Sequence, residues 1–268
     1  MSRRDQAFPG GAAAPDDAAP QTATRRVPRD LAPNPLLLPM VDPRSPVTER
    51  YRRMMTHIDH LGARDDHPYH TIVVTSSREA EGKTLSSMNL ALAMAEDRDR
   101  KVVLMDVDLH RPRVHQFLLS KPRIGWMDVF EDRADLDAAI VDLNQTRLRL
   151  LPAGRPPDKP AEVLKSERFR RLLRQLRDRF DMVLLDAPPL MRFVDANILN
   201  SHADGLIFVI RAGLTSRQIV RKALAQITTG RVIGVVLNDV RYTLVDRYYY
   251  RYDSPYYYPY YYPYRYYR

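Results

Sequence analysis

Gly82-Lys83-Thr84 stands between a β-rich run and a helical one, the placement that a triphosphate-binding loop needs. The pattern begins at Ser77, where its usual first glycine is replaced. Backbone N–H groups of such a loop and of the following helix start, here those of Ser77, Ala80, Glu81, Gly82, Lys83, Thr84 and Leu85, face phosphate oxygens, and the helix dipole favours negative charge there. Lys83 offers a compact cation to the β- and γ-phosphates, and the Thr84 hydroxyl can ligate Mg²⁺. ATP and Mg²⁺ are therefore the expected cofactors. Two aspartates add to this chemistry. Val102–Asp106 and Met182–Asp186 are apolar runs that each close on a carboxylate, with Asp108 two residues beyond the first. Carboxylates at strand ends point at the ligand crevice, and Mg²⁺ takes few of them beside phosphate oxygens and water.

At the other end of the chain, Tyr248 to Arg268 holds tyrosines at Tyr248, Tyr249, Tyr250, Tyr252, Tyr256, Tyr257, Tyr258, Tyr260, Tyr261, Tyr262, Tyr264, Tyr266 and Tyr267, with no aliphatic residue to build a core. Pro255, Pro259 and Pro263 interrupt any ladder or helix, so an extended, flexible tail is expected. A phosphate-handling loop and a dense set of phenols on one polypeptide suggest an enzyme that carries its own substrate.

These groups need a scaffold, and the sequence supplies one. Apolar β-rich runs at 71–74, 102–105, 148–151, 182–185, 206–210 and 232–237 alternate with helical stretches at 84–95, 161–179 and 216–227. Continuous apolar strands separated by helices predict an α/β fold: a doubly wound, mostly parallel sheet with helices on both faces. A helix over about 45–61 is capped by Ser45 or Thr48. One folded domain, 45–240, is expected. Before it lies a disordered arm, 1–44, rich in Pro, Ala and charge, in which Leu36–Leu38 is a local anchor. The tyrosine-cluster tail, 241–268, follows it. The Arg-rich face of 167–179 reads as a solvated helix surface.

Composition excludes several classes. The 268-residue chain has no cysteine, hence no disulfide or thiolate metal site. No apolar run reaches the roughly 20 residues of a membrane span, which predicts a cytoplasmic protein. The net charge of +9 is spread rather than blocked, so no nucleic acid is expected as a partner. Histidines 57, 60, 67, 70, 115 and 202 show no metal spacing, and Trp126 reads as a packing residue.

TSSREAEGKT (75–84), LMDVDLHRP (104–112), LPAG (151–154), LLDAPP (184–189) and GVVLND (234–239), together with the tail, resemble the bacterial tyrosine kinases (BY-kinases) of capsule and exopolysaccharide biosynthesis, which group with MinD/ParA-like P-loop ATPases. The resemblance runs from about Ser45 to Val240. It implies that Gly82-Lys83-Thr84 is Walker A, Asp106 and Asp108 are Walker A′, Asp186 is Walker B, and Asn238 contacts adenine. Lys83, Asp106 and Asp108 are then the catalytic residues, with Asp108 as the base for the phenol. Thr84, Asp106 and Asp186 hold the metal. The implied function is an ATP-dependent autokinase that phosphorylates its own tail between subunits and so regulates polysaccharide polymerisation and export. The implied partners are a membrane polysaccharide co-polymerase on a separate chain, which activates the kinase and keeps it peripheral at the membrane's inner face, a phosphotyrosine phosphatase, and further copies of the chain, which form a homo-oligomer such as a ring when dephosphorylated.

Three positions depart from the family's pattern. Glu79-Ala80 replaces Pro-Gly, and alanine disfavours positive φ, so the loop is expected to wrap phosphates less closely. His110 replaces the Walker A′ arginine, with Arg111 beside it. The ring-forming ExxRxxR helix reads Glu49, Arg52, Met55. Two rival readings, a MinD/ParA-like positioning ATPase and a nucleotide-binding scaffold, predict no phosphotyrosine.

Overall fold

A computed structural model describes residues 34–117, 124–143 and 146–240, together with the backbone of a two-residue strand at 25–26. The elements run β1 (Arg25–Arg26), α1 (Leu38–Val41), α2 (Pro46–Arg64), β2 (Thr71–Ser76), α3 (Lys83–Met94), β3 (Val102–Asp106), a 3-10 turn (Val114–Phe117), α4 (Trp126–Phe130), α5 (Leu136–Ala139) and β4 (Val141–Asp142). They continue with β5 (Leu148–Leu151), α6 (Pro160–Lys165), α7 (Glu167–Arg179), β6 (Met182–Asp186), α8 (Asp195–Asn200), β7 (Gly205–Arg211), α9 (Arg217–Leu224) and β8 (Val232–Asn238). The strands form one sheet in the order β1-β4-β5-β3-β6-β2-β7-β8. Every pairing is parallel except β4 with β5. The fold is the doubly wound P-loop arrangement that the alternating runs predict.

The central strands β2, β3 and β6 are buried at every position, because helices cover both of their faces. On one face Val73, Val103, Val183, Leu185 and Phe208 pack with Trp126, Phe169, Leu172 and Leu199. On the other, Ile72, Val74, Leu104, Leu184 and Val209 pack with Ile58, Met88, Leu92 and Met94. Two consequences matter for the site. The carboxyl ends of β2, β3 and β6 are neighbours, and Asp106 lies directly in register with Asp186. In addition, α3 is packed between the sheet and α2, and Lys83 and Thr84 of its first turn are buried.

Local boundaries follow side-chain chemistry. Ser45 caps α2, its hydroxyl oxygen accepting from the Thr48 N–H at 3.1 Å. Residues 34–44, which the sequence groups with the N-terminal arm, include α1, and Leu37 is buried against α3. The Asn89 side chain fixes this seat, accepting from the Leu38 N–H at 2.9 Å and donating to the Leu36 carbonyl at 3.1 Å. The stretch 161–179 is two helices, not one. Ser166 ends α6 and caps α7, its hydroxyl oxygen accepting from the Phe169 N–H at 3.1 Å. The arginines on the outer face of α7 are largely tied into ion pairs: Arg170 and Arg174 with Glu167, Arg168 with Asp132, Arg179 with Asp137.

Candidate active site

The loop from Ser77 to Gly82 joins β2 to α3, and its shape is set from inside by Glu81. That carboxylate is buried and accepts from the Ser77 hydroxyl at 2.9 Å, the Arg78 N–H at 2.8 Å and the Thr215 hydroxyl. Gly82 turns through φ +92°, a left-handed conformation that a side chain resists. Space demands glycine as well: a Cβ there would lie 1.9 Å from Asn238 Nδ2. The Asn238 amide donates to the Glu81 carbonyl at 3.0 Å, so the end of β8 is seated on the phosphate loop. Ala80 adopts φ +61° despite its Cβ. The loop therefore makes its turn without the family's glycine, at about 1–2 kcal/mol of strain, with the bonds around Glu81 holding it.

Behind the loop lies a buried charge cluster. Lys83 Nζ is 2.8 Å from Asp108 Oδ2 and 3.6 Å from Asp186 Oδ2. Thr84 donates its hydroxyl to Asp186 Oδ2 at 2.6 Å, and Ser87 donates to Asp186 Oδ1 at 3.2 Å. Asp106 is occupied differently. Its Oδ2 accepts the N–H groups of Arg113 and Val114, both at 2.9 Å, and its Oδ1 accepts that of Asp108 at 3.2 Å. It thus shapes the turn that presents Asp108, and the carboxylate touching Thr84 is that of Asp186. Trp126 supports this turn from below, its Nε1 donating to the Asp106 carbonyl at 2.7 Å.

Electrostatics in this cluster are unbalanced. Burial and the facing Asp186 push Asp106 up to about 8. Asp186 is likewise raised by burial, against the pull of Lys83 and Thr84. Burial alone would lower Lys83, yet Asp186 and Asp108 together hold it above the ordinary lysine value. Three buried carboxylates share one ammonium, so the cluster retains a proton in place of full negative charge, a place that a divalent cation could take. Among the described residues no group of three or more His, Cys, Asp or Glu side chains is arranged to hold a metal by itself. Thr84 and Asp186 are the residues that could hold an ion such as Mg²⁺, which takes one or two carboxylates and completes its shell with phosphate oxygens and water.

The cluster opens into a cleft of about 210 Å³ lined by Lys83, Thr84, Leu85, Asp108, Arg111, Pro189 and Phe193 among others. Its walls come from the turns after β3 and β6, and the latter is tied to β2: the Thr75 hydroxyl donates to the Pro188 carbonyl at 2.6 Å, and the Leu190 N–H donates to the Ser76 carbonyl at 2.9 Å. His110 stacks on Phe193, with ring centroids 3.5 Å apart, and its Nε2 lies 2.7 Å from Asp195 Oδ2. The residue in the Walker A′ arginine position is thereby joined to the β6 turn instead of facing outward.

Residues 69–231 match the AAA domain family. The tyrosine-protein kinase YwqD of Bacillus subtilis is 31% identical over 216 residues, which span 80% of this chain and 90% of that one. The chain belongs to the bacterial tyrosine-protein kinases. Within the same comparison, the succinoglycan biosynthesis transport protein ExoP of Rhizobium meliloti is 29% identical over 211 residues, 77% of this chain but 26% of that protein. Among solved structures, the chimerical protein CapA2B2 superposes with a TM-score of 0.73 at 25% identity, covering 77% of this chain and 91% of that one.

For this kinase, the structure brings together most of the residues that the motifs single out: Ser77, Ala80, Glu81, Gly82, Lys83, Thr84, Asp106, Asp108, Asp186 and Asn238 share one end of the sheet. Asn238, read from the resemblance as an adenine contact, bonds the loop backbone. Sequence reasoning missed Thr215, Asp195 and Arg192, none of which belongs to a contiguous motif, and of Glu81 it foresaw the backbone N–H but not the bracing carboxylate. Glu79, noted only as a departure, bonds both Arg111 and Arg192. On α2, Arg52 reaches Glu96 at 2.6 Å and 2.9 Å, the Pro43 carbonyl at 2.8 Å, and Glu49 at 3.6 Å. Met55, in the second arginine's place, packs against the core under α2. Tyrosines 248–267, expected as acceptors from the resemblance, lie outside the described residues. Among the described residues, no helix is long and apolar enough to cross a membrane.

Proposed function

We propose that this kinase is an ATP- and Mg²⁺-dependent autokinase that transfers the γ-phosphoryl group to tyrosines of its own C-terminal cluster, between subunits. The observation that carries the reading is the Lys83 ammonium shared by Asp108 and Asp186, with Thr84 on Asp186. The loop N–H groups and Lys83 hold the phosphates, and Thr84 with Asp186 holds the metal, Asp106 standing behind them. When bound, Mg²⁺-ATP supplies the electrophilic phosphorus and the positive charge that the carboxylates lack. As Lys83 turns to the phosphates, it leaves Asp108 free to accept the phenol proton at the cleft side. A phenol with a reference pKa near 10 needs such a base as the new P–O bond forms.

Tethering makes a tight acceptor pocket unnecessary, since it keeps the local phenol concentration high. Each phosphotyrosine adds about −1.5 to −2 charge, so a few modifications reverse the sign of the Arg-containing tail and drive subunits apart. Dephosphorylated copies then associate, and a phosphatase resets the cycle. The name of ExoP, with this chain spanning about a quarter of that protein, supports a role in exopolysaccharide or capsule export beside a membrane co-polymerase; here that partner would be a separate chain.

Intact mass after incubation with Mg²⁺-ATP tests the reading. Stepwise additions of about 80 Da are expected for the full chain and are absent for Lys83→Met and for a chain ending at Asp246. ATP hydrolysis without additions overturns it in favour of a positioning ATPase.

A further inference from the structure

One carboxylate at the mouth of the cleft holds two guanidinium groups that arrive from different turns. Glu79, inside the phosphate loop, bonds Arg111 through Oε2 and Arg192 through Oε1. Arg111 belongs to the turn after β3; its N–H donates to Asp108 Oδ1 at 3.0 Å, and Asp108 in turn holds Lys83. Arg192 belongs to the turn after β6 and lies 5.5 Å over the Phe193 ring, which forms the cleft wall. Arg111 thus lines the same cleft as Lys83 and Thr84, and Arg192 reaches its rim through Glu79. Both side chains are half open to solvent, 53% and 55% exposed, so neither is locked in place by packing.

We propose that Arg111 and Arg192 form an anion clamp for the terminal phosphoryl group of the nucleoside triphosphate, and that Glu79 is its resident occupant, displaced as the triphosphate binds. The inference rests on the nucleotide site described above and extends it to Arg192, which no motif contains, and to Glu79 and Arg111, motif residues without a role until now. Guanidinium forks accept a carboxylate or a phosphoryl group in the same paired geometry, and the phosphoryl group brings more charge and more acceptor oxygens. A diphosphate lacks the third phosphoryl group, so Glu79 keeps both arginines and the clamp stays shut. Glu79 thereby sets how strongly the site prefers triphosphate to diphosphate, and Arg111 takes up the charge that His110 does not provide.

Fluorescent, non-hydrolysable ATP and fluorescent ADP, each titrated with Mg²⁺ into the full chain, read that preference as a ratio of dissociation constants. Glu79→Gln keeps the shape and removes the charge. It is expected to raise the ADP-to-ATP ratio about five-fold, the scale of two partly exposed ion pairs. Arg192→Ala combined with Glu79→Gln should return the ratio to that of the wild type. An unchanged ratio in Glu79→Gln, or a gain that survives loss of Arg192 and Arg111 together, overturns the proposal. A phosphotyrosine peptide from the tail sequence separates the other source of phosphate: if Glu79→Gln tightens that peptide and leaves the ATP ratio alone, the clamp serves the product and the nucleotide assignment fails. Because the readout is binding, the clamp stands or falls independently of whether the chain phosphorylates itself.

Discussion

Asn238 and Gly82 form a contact whose energetic signature is specific enough to test. In Gly82→Ala, an alanine is held at φ +92°, which costs about 1–2 kcal/mol. Its Cβ also meets Asn238 Nδ2 at 1.9 Å. The amide must rotate away, and its 3.0 Å bond to the Glu81 carbonyl is lost, about 1 kcal/mol more. The single variant should therefore lose about 2–3 kcal/mol of stability. Asn238→Ala forfeits the same bond and should lose about 1 kcal/mol. In the double variant the bond is lost once, not twice, and the clash is gone. Its loss should fall about 1 kcal/mol short of the sum of the single losses.

Urea denaturation of the four proteins without nucleotide measures this coupling directly. Nucleotide binding should fall at least about ten-fold in both proteins that carry the Gly82→Ala substitution, because the strained backbone moves the N–H groups that face phosphate. Losses that add to within about 0.3–0.5 kcal/mol would refute the reasoning and free Asn238 for a role confined to the adenine ring.

Lys83→Met leaves Asp108 and Asp186 buried without their cation, so at pH 9 it should destabilise the chain by about 3–5 kcal/mol, and by clearly less at pH 6, as urea denaturation at the two pH values would show. Asp106 and Asp186 both have raised folded-state values; the unfolded chain then binds fewer protons, and the wild-type Tm without nucleotide should decline as pH rises toward and through about 8. Asp186→Asn, which removes the charge facing Asp106, should give a shallower decline. Trp126→Phe keeps the apolar packing and orphans the Asp106 carbonyl, a loss of about 1–3 kcal/mol with weaker nucleotide binding, measurable by denaturation and titration.

Much of this architecture is legible in the sequence because its chemistry is local. Apolar runs closing on Asp106 and Asp186 announce strands whose ends meet, and Gly82-Lys83-Thr84 between a strand and a helix announces a phosphate loop. The Ser45 cap is equally local, since a Ser-Pro start fixes both the capping oxygen and the first helical φ. The break between α6 and α7 is hidden because Ser166 interrupts a stretch whose apolar spacing is helical on both sides. The seat of Leu37 depends on Asn89, more than fifty residues away, and only the folded α3 shows that the amide faces it. The same holds for Glu81 with Thr215 and for His110 with Asp195: each pair joins segments that the sheet order makes neighbours and the sequence keeps apart.

The sheet order also bears on how the tail meets a cleft. β8 lies at the sheet edge beside β7, and its last residue, Asn238, touches the phosphate loop of the same subunit. The described chain ends two residues later, at Val240. A 21-residue segment such as 248–268 spans roughly 70 Å at full extension, enough for either that subunit's cleft or a neighbour's. Distance does not choose between them; reaction order does. Transfer within one subunit proceeds at a rate independent of dilution, whereas transfer between subunits slows as the protein is diluted below its dissociation constant. A tail-less active chain mixed with full-length Lys83→Met isolates the second route, since only the intact tail can accept and only the intact Lys83 can deliver. Phosphate on the Lys83→Met chain is the expected result, and its absence at every concentration, while the wild type still modifies itself, would assign the reaction to a single subunit.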